Sequence, residues 1–280
     1  MKTTKFSIYL AKANDNPYVA GFAEVVELLQ FSISDLGYEC DIVTELPADD
    51  RQLIVLAGHL LEQDVADQIP SSAIIYQFEQ LPAFFTPAYE GLLRRCKVWD
   101  YAERNLDYLE SLNIKHGVFV PLGFHPDLER ISLAEKDTDL LFYGSMSPSR
   151  KSVIDEIERR GMGVKKLWGV YHTDRDAYLA KTKAVLNLHS FKAEIHEIAR
   201  TFYCLNNKIP VVSECNATTY IYPWLRYSMV LPLYQQIPSA CEKFLADPKW
   251  QEDVGLAGYS ALKSKAMIDT LAPLLLETYQ

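Results

Sequence analysis

Glycine is scarce in this chain, with 12 in 280 residues, below the roughly 7% of average usage. That excludes collagen-like and glycine-rich low-complexity architectures. Cations are also in the minority: 28 Lys plus Arg stand against 37 Asp plus Glu, a formal charge of -9. This balance opposes an extended grip on nucleic-acid phosphates or an anionic membrane, and leaves room only for a local basic pocket. The five cysteines, Cys40, Cys96, Cys204, Cys215 and Cys241, form no CxxC pair and have no His at metal-ligand spacing. They predict reduced thiols, no metal and a cytoplasmic protein. No long apolar run is present. The Phe6–Leu10 stretch after the N-terminus is far shorter than a signal h-region or an 18-residue span, so neither export nor a transmembrane segment is expected. Also missing are GxxxxGK[ST], a GxGxxG after the first strand, HExxH and GxSxG. P-loop kinases, classical NAD-dependent enzymes, zinc hydrolases and nucleophile-elbow hydrolases lose their sequence support.

What the chain does have is 49% apolar and 23% charged residues, the composition of a folded globular protein. Its length fits two compact domains. Short apolar runs alternate with helical patterns, the signature of βα units on a parallel sheet. Strands are predicted at Phe6–Leu10, Cys40–Val43, Leu53–Ala57, Ala73–Tyr76 and Val98–Trp99. Helices are predicted over Tyr18–Leu36, Ala88–Arg95 and Glu103–Leu112. After the charged stretch Asp127–Asp139 the pattern restarts at Leu140–Gly144, with helix Arg150–Arg160, strands Val164–Trp168 and Ala184–Leu188, helix Ala193–Leu205 and strand Pro210–Ser213. A last helical pattern fills Gln251–Tyr279, weakened at its start by Gly255 and Gly258. The expected organisation is an N-terminal Rossmann-like domain over 1–130, a second one over 138–255 and a helical segment over 256–280.

Ligands of open α/β sheets bind beyond the carboxyl ends of the strands, which directs attention to those loops. Gly144, Ser145 and Ser147 leave an apolar strand and enter a helix whose first turn carries Arg150 and Lys151. Cations are misplaced at a helix N-terminus, and an anion such as a diphosphate would compensate. The alternative is two solvated surface charges. A second locus runs from Asn187 through His189, Glu194 and Glu197 to Arg200, placing Glu194, Glu197 and Arg200 near one helical face. The alternative there is a surface Glu197–Arg200 ion pair, and for His189 a hydrogen-bonded structural role. In the first half, Asp15, His59 and Glu79 each follow a predicted strand. They are candidates for a general base acting on a hydroxyl, each with a cap or turn role as the alternative. Tyr9, Tyr76, Tyr143 and Phe191 sit at or beside strand ends, places where an aromatic face can stack on a base or sugar.

Leu140–Ser145, Val185–His189 and the run from Glu197 through Arg200 to Pro210-Val211-Val212-Ser213-Glu214 resemble the donor half of bacterial group 1-type GT-B glycosyltransferases. Tyr76–Gln80, Trp99-Asp100-Tyr101 and Val120–Gly123 resemble elements of their first domain. The resemblance implies two Rossmann-like domains facing across a cleft, with the final helix crossing back to the first. The implied reaction moves a sugar from a nucleoside diphosphate sugar to a hydroxyl acceptor without cofactor or essential metal, in polysaccharide or glycoconjugate biosynthesis. Gly144, Ser145, Ser147, Arg150, Lys151, His189, Glu194, Arg200 and Glu214 would bind the donor, and Asp15, His59, Glu79 and Glu197 would be catalytic. One departure stands out: of the two glutamates those enzymes carry eight positions apart, the second position is Tyr203 here and the first is Ile195, flanked by Glu194 and Glu197. Asn207-Lys208-Ile209 replaces the usual Gly-bearing turn. Retaining or inverting chemistry stays open, as do a catalytically silent GT-B-like binding subunit, a nucleotide-sugar epimerase and a homodimer or partner-completed site.

Overall fold

The protein is described by a computed structural model covering residues 4–11, 17–191 and 194–279. The chain divides into two units: Met1–His125 with Ala266–Gln280, and Pro126–Lys265. The divisions fall at His125/Pro126 and Lys265/Ala266, whereas the sequence expectation ended the first domain at 130 and ran the second from 138 to 255.

Unit 1 holds a six-stranded parallel sheet in the order β2-β1-β3-β4-β5-β6. Its strands are β1 (Lys5–Leu10), β2 (Glu39–Val43), β3 (Gln52–Leu56), β4 (Ile74–Gln77), β5 (Lys97–Asp100) and β6 (Gly117–Phe119). Between them run α1 (Ala23–Asp35), α2 (Gln63–Ala66), α3 (Pro87–Arg95) and α4 (Glu103–Ser111). Central strands read as unbroken apolar runs because both faces are covered; Ile54, Val55, Leu56, Ile75 and Val98 are all buried. The predicted helix over Tyr18–Leu36 is a 3-10 turn at Pro17–Phe22 followed by α1. Strand order reverses direction between β1 and β3, which makes their carboxyl ends the topological switch point of this sheet.

Unit 2 holds a four-stranded parallel sheet in the order β10-β9-β7-β8, built from β7 (Thr138–Tyr143), β8 (Val164–Leu167), β9 (Thr182–Asn187) and β10 (Val211–Ser213). Its helices are α5 (Pro148–Arg159), α6 (His172–Lys181), α7 (Ile198–Asn206), α8 (Ile237–Leu245) and α9 (Pro248–Lys263). The switch point lies between β7 and β9. The sequence pattern joined two helices at the C-terminus: α9 stops at Lys263 and α10 (Met267–Tyr279) starts a new helix that packs on α1 within unit 1. Gly255, read from sequence as a weak point, is required instead. A Cβ there would lie 2.6 Å from the Lys208 carbonyl oxygen, so its absence lets α9 press onto the turn after α7. Among the described residues no helix is long and apolar enough to cross a membrane.

Candidate active site

Each sheet carries chemistry-bearing side chains at the carboxyl ends of its strands. In unit 2 the loop leaving β7 turns at Gly144 with φ +132°, a conformation L side chains rarely adopt. A Cβ at Gly144 would meet Arg200 Nη2 at 2.7 Å. The bare glycine therefore lets the Arg200 guanidinium lie directly against the backbone at the strand end. Arg200 Nη1 donates to Asn187 Oδ1 at 2.7 Å, and the guanidinium stands 5.9 and 5.8 Å from the ring centroids of Phe142 and Tyr143. Its hydrogen-bond partner is thus a neutral amide, and no carboxylate among the described residues pairs with it. The surface Glu197–Arg200 ion pair weighed from the sequence does not form.

Arg150 lies elsewhere than its sequence position implied. It is 2% exposed, with Nε and Nη2 donating to the Leu188 carbonyl at 3.1 and 2.7 Å and Nη1 to the Ser145 carbonyl at 2.8 Å. Burial, reinforced by the Arg200 charge, brings its pKa down to about 10. Its fork ties the loop after β7 to the end of β9 and so shapes the site from within. Lys151 is the solvated charge of the alternative reading: its side chain is 65% exposed and pairs with Asp155 one turn on, at 2.5 Å. Ser147 caps α5, accepting the Arg150 N–H at 3.3 Å, and Ser145 is exposed.

Helix α7 begins at Ile198, four residues beyond Glu194. Glu194 has φ +48° and precedes a short parallel bridge between Ile195 and Tyr220, so the expected helical face of Glu194, Glu197 and Arg200 does not exist. Its carboxylate accepts from the Thr218 hydroxyl. Glu197 stands just before α7, where Asn187 Nδ2 donates to it at 2.9 Å and His189 Nδ1 lies 3.2 Å away. Burial opposes ionisation of Glu197, but the hydrogen bond and charge of His189, with Arg200 and His196 behind, bring it down to about 2. His189 is the complementary case: burial disfavours its cation, yet Glu197, Glu214 and Glu194 together raise its pKa. Its Nε2 pairs with Thr219 Oγ1 at 3.0 Å. Glu214 accepts the His189 backbone N–H at 3.0 Å and Asn216 Nδ2 at 2.9 Å, latching the loops after β9 and β10 together. The second locus began at Asn187 without giving that side chain a role, and the sequence reading missed Thr219. A polar residue closing the apolar run Val185-Leu186-Asn187 was the available signal.

Tyr203, at the position of the second glutamate, is 1% exposed. Its hydroxyl donates to Asp176 Oδ2 at 2.8 Å and accepts from Arg130 Nε at 2.9 Å. It is part of the packing beneath the site.

In unit 1 the loops after β3 and β4 bring His59 and Glu79 together, with Nε2 and Oε1 3.4 Å apart and side chains 7% and 17% exposed. Burial lowers His59 to about 4 and raises Glu79 to about 7. The Glu79 loop is pinned from below. Gln77 Nε2 donates to the Glu79 carbonyl at 2.8 Å and to Asp100 Oδ2 at 3.0 Å; Asn105 Nδ2 bridges the Glu79 carbonyl and Asp100 Oδ1 at 2.8 and 3.0 Å. Asp100 is fully buried, and burial lifts it to about 8 against those donors. Asp15 lies outside the described residues. Of the strand-end aromatics, Tyr9, Tyr76 and Tyr143 are buried, Tyr76 donating to the Val120 carbonyl and Tyr143 to that of Arg200; Phe191 is half-buried.

Among solved structures, AviGT4, a glycosyltransferase involved in avilamycin A biosynthesis, superposes with a TM-score of 0.63 at 15% identity over 98% of this chain and 96% of its own. Anabaena HepE in complex with UDP and glucose gives 0.63 at 10%, over 98% and 99% of the two chains. WaaG, a glycosyltransferase involved in lipopolysaccharide biosynthesis, gives 0.60 at 9%, over 98% and 100%. The chain has the GT-B glycosyltransferase fold. This GT-B chain is also similar to two uncharacterised proteins of Acanthamoeba polyphaga mimivirus. L140 is 23% identical over 210 residues, covering 70% of this chain and 64% of its own length, and L138 is 37% identical over 81 residues, covering 28% and 9%. The chain thus spans less than two thirds of either viral protein. No family model matches the sequence.

Proposed function

We propose that this GT-B chain transfers a sugar from a nucleoside diphosphate sugar to a hydroxyl acceptor, with the diphosphate held in unit 2. The observation that carries the reading is Arg200: a cation laid against a side-chain-free strand end at the switch point, bonded to an amide rather than to an acid. Diphosphate departure develops negative charge, and a fixed guanidinium at the strand end would stabilise that charge in the transition state. Arg200 supplies the countercharge, so the proposed reaction needs neither a resident metal nor an organic cofactor. HepE with UDP and glucose on the same fold supports the donor class. A cytoplasmic setting is part of the proposal and goes with five free cysteines. The second reading, a catalytically silent binding subunit, is favoured by Tyr203 standing where a second glutamate would be.

Calorimetric titration with UDP, GDP and ADP and their glucose conjugates, followed by release of free nucleotide, tests the reading. One nucleotide series is expected to bind the parent chain and to bind Arg200→Ala at least tenfold more weakly. Equal affinity in the two proteins refutes the Arg200 assignment. Binding without release from any donor, with acceptor alcohols supplied, favours the silent subunit, and conversion of the sugar with its diphosphate bond intact identifies an epimerase.

A further inference from the structure

Asn187 closes β9 and is fully buried, so each of its amide atoms needs a partner. Nδ2 spends its two hydrogens on Glu197 Oε2 and Ser213 Oγ, both at 2.9 Å. Oδ1 is thereby turned to the Arg200 guanidinium, 2.7 Å from Nη1. An ionised carboxylate only accepts, so Glu197 admits the amide one way round. With the amide reversed, its NH2 would face the guanidinium, donor against donor. The orientation that serves Arg200 is therefore imposed from the other side of Asn187, by the charge on Glu197.

Glu197 is in turn held by His189, whose Nδ1 stands 3.3 and 3.2 Å from the two carboxylate oxygens. The other ring nitrogen, Nε2, meets Thr219 Oγ1 at 3.0 Å. A hydroxyl can accept from an imidazolium or donate to a neutral ring, so His189 can lose its proton without losing either contact. What goes is its charge. The other charged and titratable groups facing this pair are Glu194 and His196 between β9 and α7, Arg200 in α7, Glu214 after β10, and Arg150 in α5, whose Nη2 is 3.9 Å from Glu197 Oε1. All of them belong to unit 2.

We propose that Glu197 and His189 are positioning residues for Arg200. The Glu197 carboxylate turns the Asn187 amide towards the guanidinium, protonated His189 balances that carboxylate, and the affinity of unit 2 for the diphosphate of a nucleotide sugar falls as His189 loses its proton. The role given to this relay rests on the donor reading above, and adds to it a pH response and three side chains that act without touching the ligand. Burial disfavours the His189 cation, but Glu197, Glu214 and Glu194 raise its pKa above the ordinary 6.5, so the charge persists to higher pH than on a free histidine. Above that midpoint the uncompensated Glu197 anion competes with the diphosphate for Arg200. Affinity is therefore high on the acid side of the midpoint and lower on the alkaline side, and by linkage a bound diphosphate must raise the midpoint itself.

The test uses the full chain and the nucleotide sugar found to bind it, because a free nucleoside diphosphate itself titrates at about pH 6 and a nucleotide sugar does not. Calorimetry gives Kd across pH 6 to 9. Expected results are a Kd that rises about tenfold over that range in the parent and stays level in His189→Gln. Glu197→Gln, whose amide lets that of Asn187 turn over, should weaken binding about tenfold at the acid end in the parent background and add nothing in Asn187→Ala, where no amide is left to turn. Where the buried variants do not fold, imidazole proton NMR of the parent decides: saturating nucleotide sugar should raise the His189 midpoint by about one pH unit, and an unmoved midpoint overturns the proposal. So do a level Kd in the parent, a pH profile unchanged in His189→Gln, and a Glu197→Gln penalty of the same size in both backgrounds. A chain that binds no nucleotide sugar at any pH is the separate failure of the donor reading, and the relay's role falls with it.

Discussion

Replacing Gly144 by alanine separates two contributions that the geometry joins. The new Cβ would lie 2.7 Å from Arg200 Nη2, where ordinary contact begins at 3.4 Å, so the guanidinium has to withdraw from the strand end. Alanine must also hold φ near +132°, which costs about 1–3 kcal/mol of stability. A charge-assisted hydrogen bond is worth about 1.5–3 kcal/mol, so displacing Arg200 from a bound diphosphate should weaken nucleotide affinity about 10- to 150-fold. Arg200→Ala should lose the same affinity without the backbone strain. The informative protein is the double variant. If Gly144 acts by making room for Arg200, the alanine's affinity penalty disappears in the Arg200→Ala background while its stability penalty persists. Calorimetry gives the affinities and denaturant unfolding the stabilities. An affinity penalty of the same size in both backgrounds would refute the steric coupling and show that the backbone at Gly144 is read directly.

Lys151→Ala should leave nucleotide affinity within about twofold, because its ammonium is spent on an exposed pair with Asp155; a tenfold loss by calorimetry would put Lys151 at the ligand. Glu197→Gln should lower the His189 pKa, since the Glu197 hydrogen bond and charge are the leading influences that raise it, and imidazole NMR titration of parent and variant reads the sign. Unit 2 should lose stability on acidification in two windows. His196, buried neutral and lowered to about 4, takes up a proton on unfolding as pH falls from 6.5 towards 4, and the benefit of ionised Glu197 fades as pH falls from 4.5 towards 2. Denaturation midpoints that stay level from pH 7 to pH 3 would contradict both shifts. Tyr203→Phe removes a buried hydroxyl from Asp176 and Arg130 and should destabilise by about 1–3 kcal/mol without changing nucleotide affinity; a change in affinity would return that position to the donor site.

Sequence reading succeeded where one-dimensional pattern and three-dimensional environment coincide. Strands buried on both faces have to be apolar runs, and β1, β3, β4, β7 and β9 were all visible that way. The Gly144 loop was visible too, because a glycine at a strand end before a capped helix has few other uses. Helical spacing misleads where a non-local pairing overrides the helix. Glu194, Glu197 and Arg200 recur every three residues, yet Glu194 and Ile195 leave the helix to pair with the segment after β10. That pairing is non-local and has no trace in spacing. Arg150 was misjudged for a related reason: its position in the first turn of α5 is legible, but the carbonyls that absorb its donors come from residue 188, across the sheet.

In the proposed reading the two arginines exchange roles. A chain that presents its anion-binding cation from the first turn of a helix can rely on a flexible loop to bring it there. Here that first-turn residue, Arg150, is consumed in bracing the loop, and in the proposed reading the task of meeting the anion falls to Arg200 at the start of α7. Such a substitution works only if the strand end carries no side chain, so among few glycines Gly144 is fixed by the demand of a second element rather than by its own turn. The same reasoning predicts an asymmetry between conservative changes. Arg200→Lys keeps the charge but loses the planar fork that spans Asn187 and the strand end, and should recover only part of the affinity lost in Arg200→Ala. Arg150→Lys should instead cost stability first, by stranding the Leu188 and Ser145 carbonyls, with nucleotide affinity falling only as the loop after β7 loosens. Finding the reverse order, a stable Arg150→Lys with abolished binding and an unaffected Arg200→Lys, would restore Arg150 as the residue that meets the diphosphate.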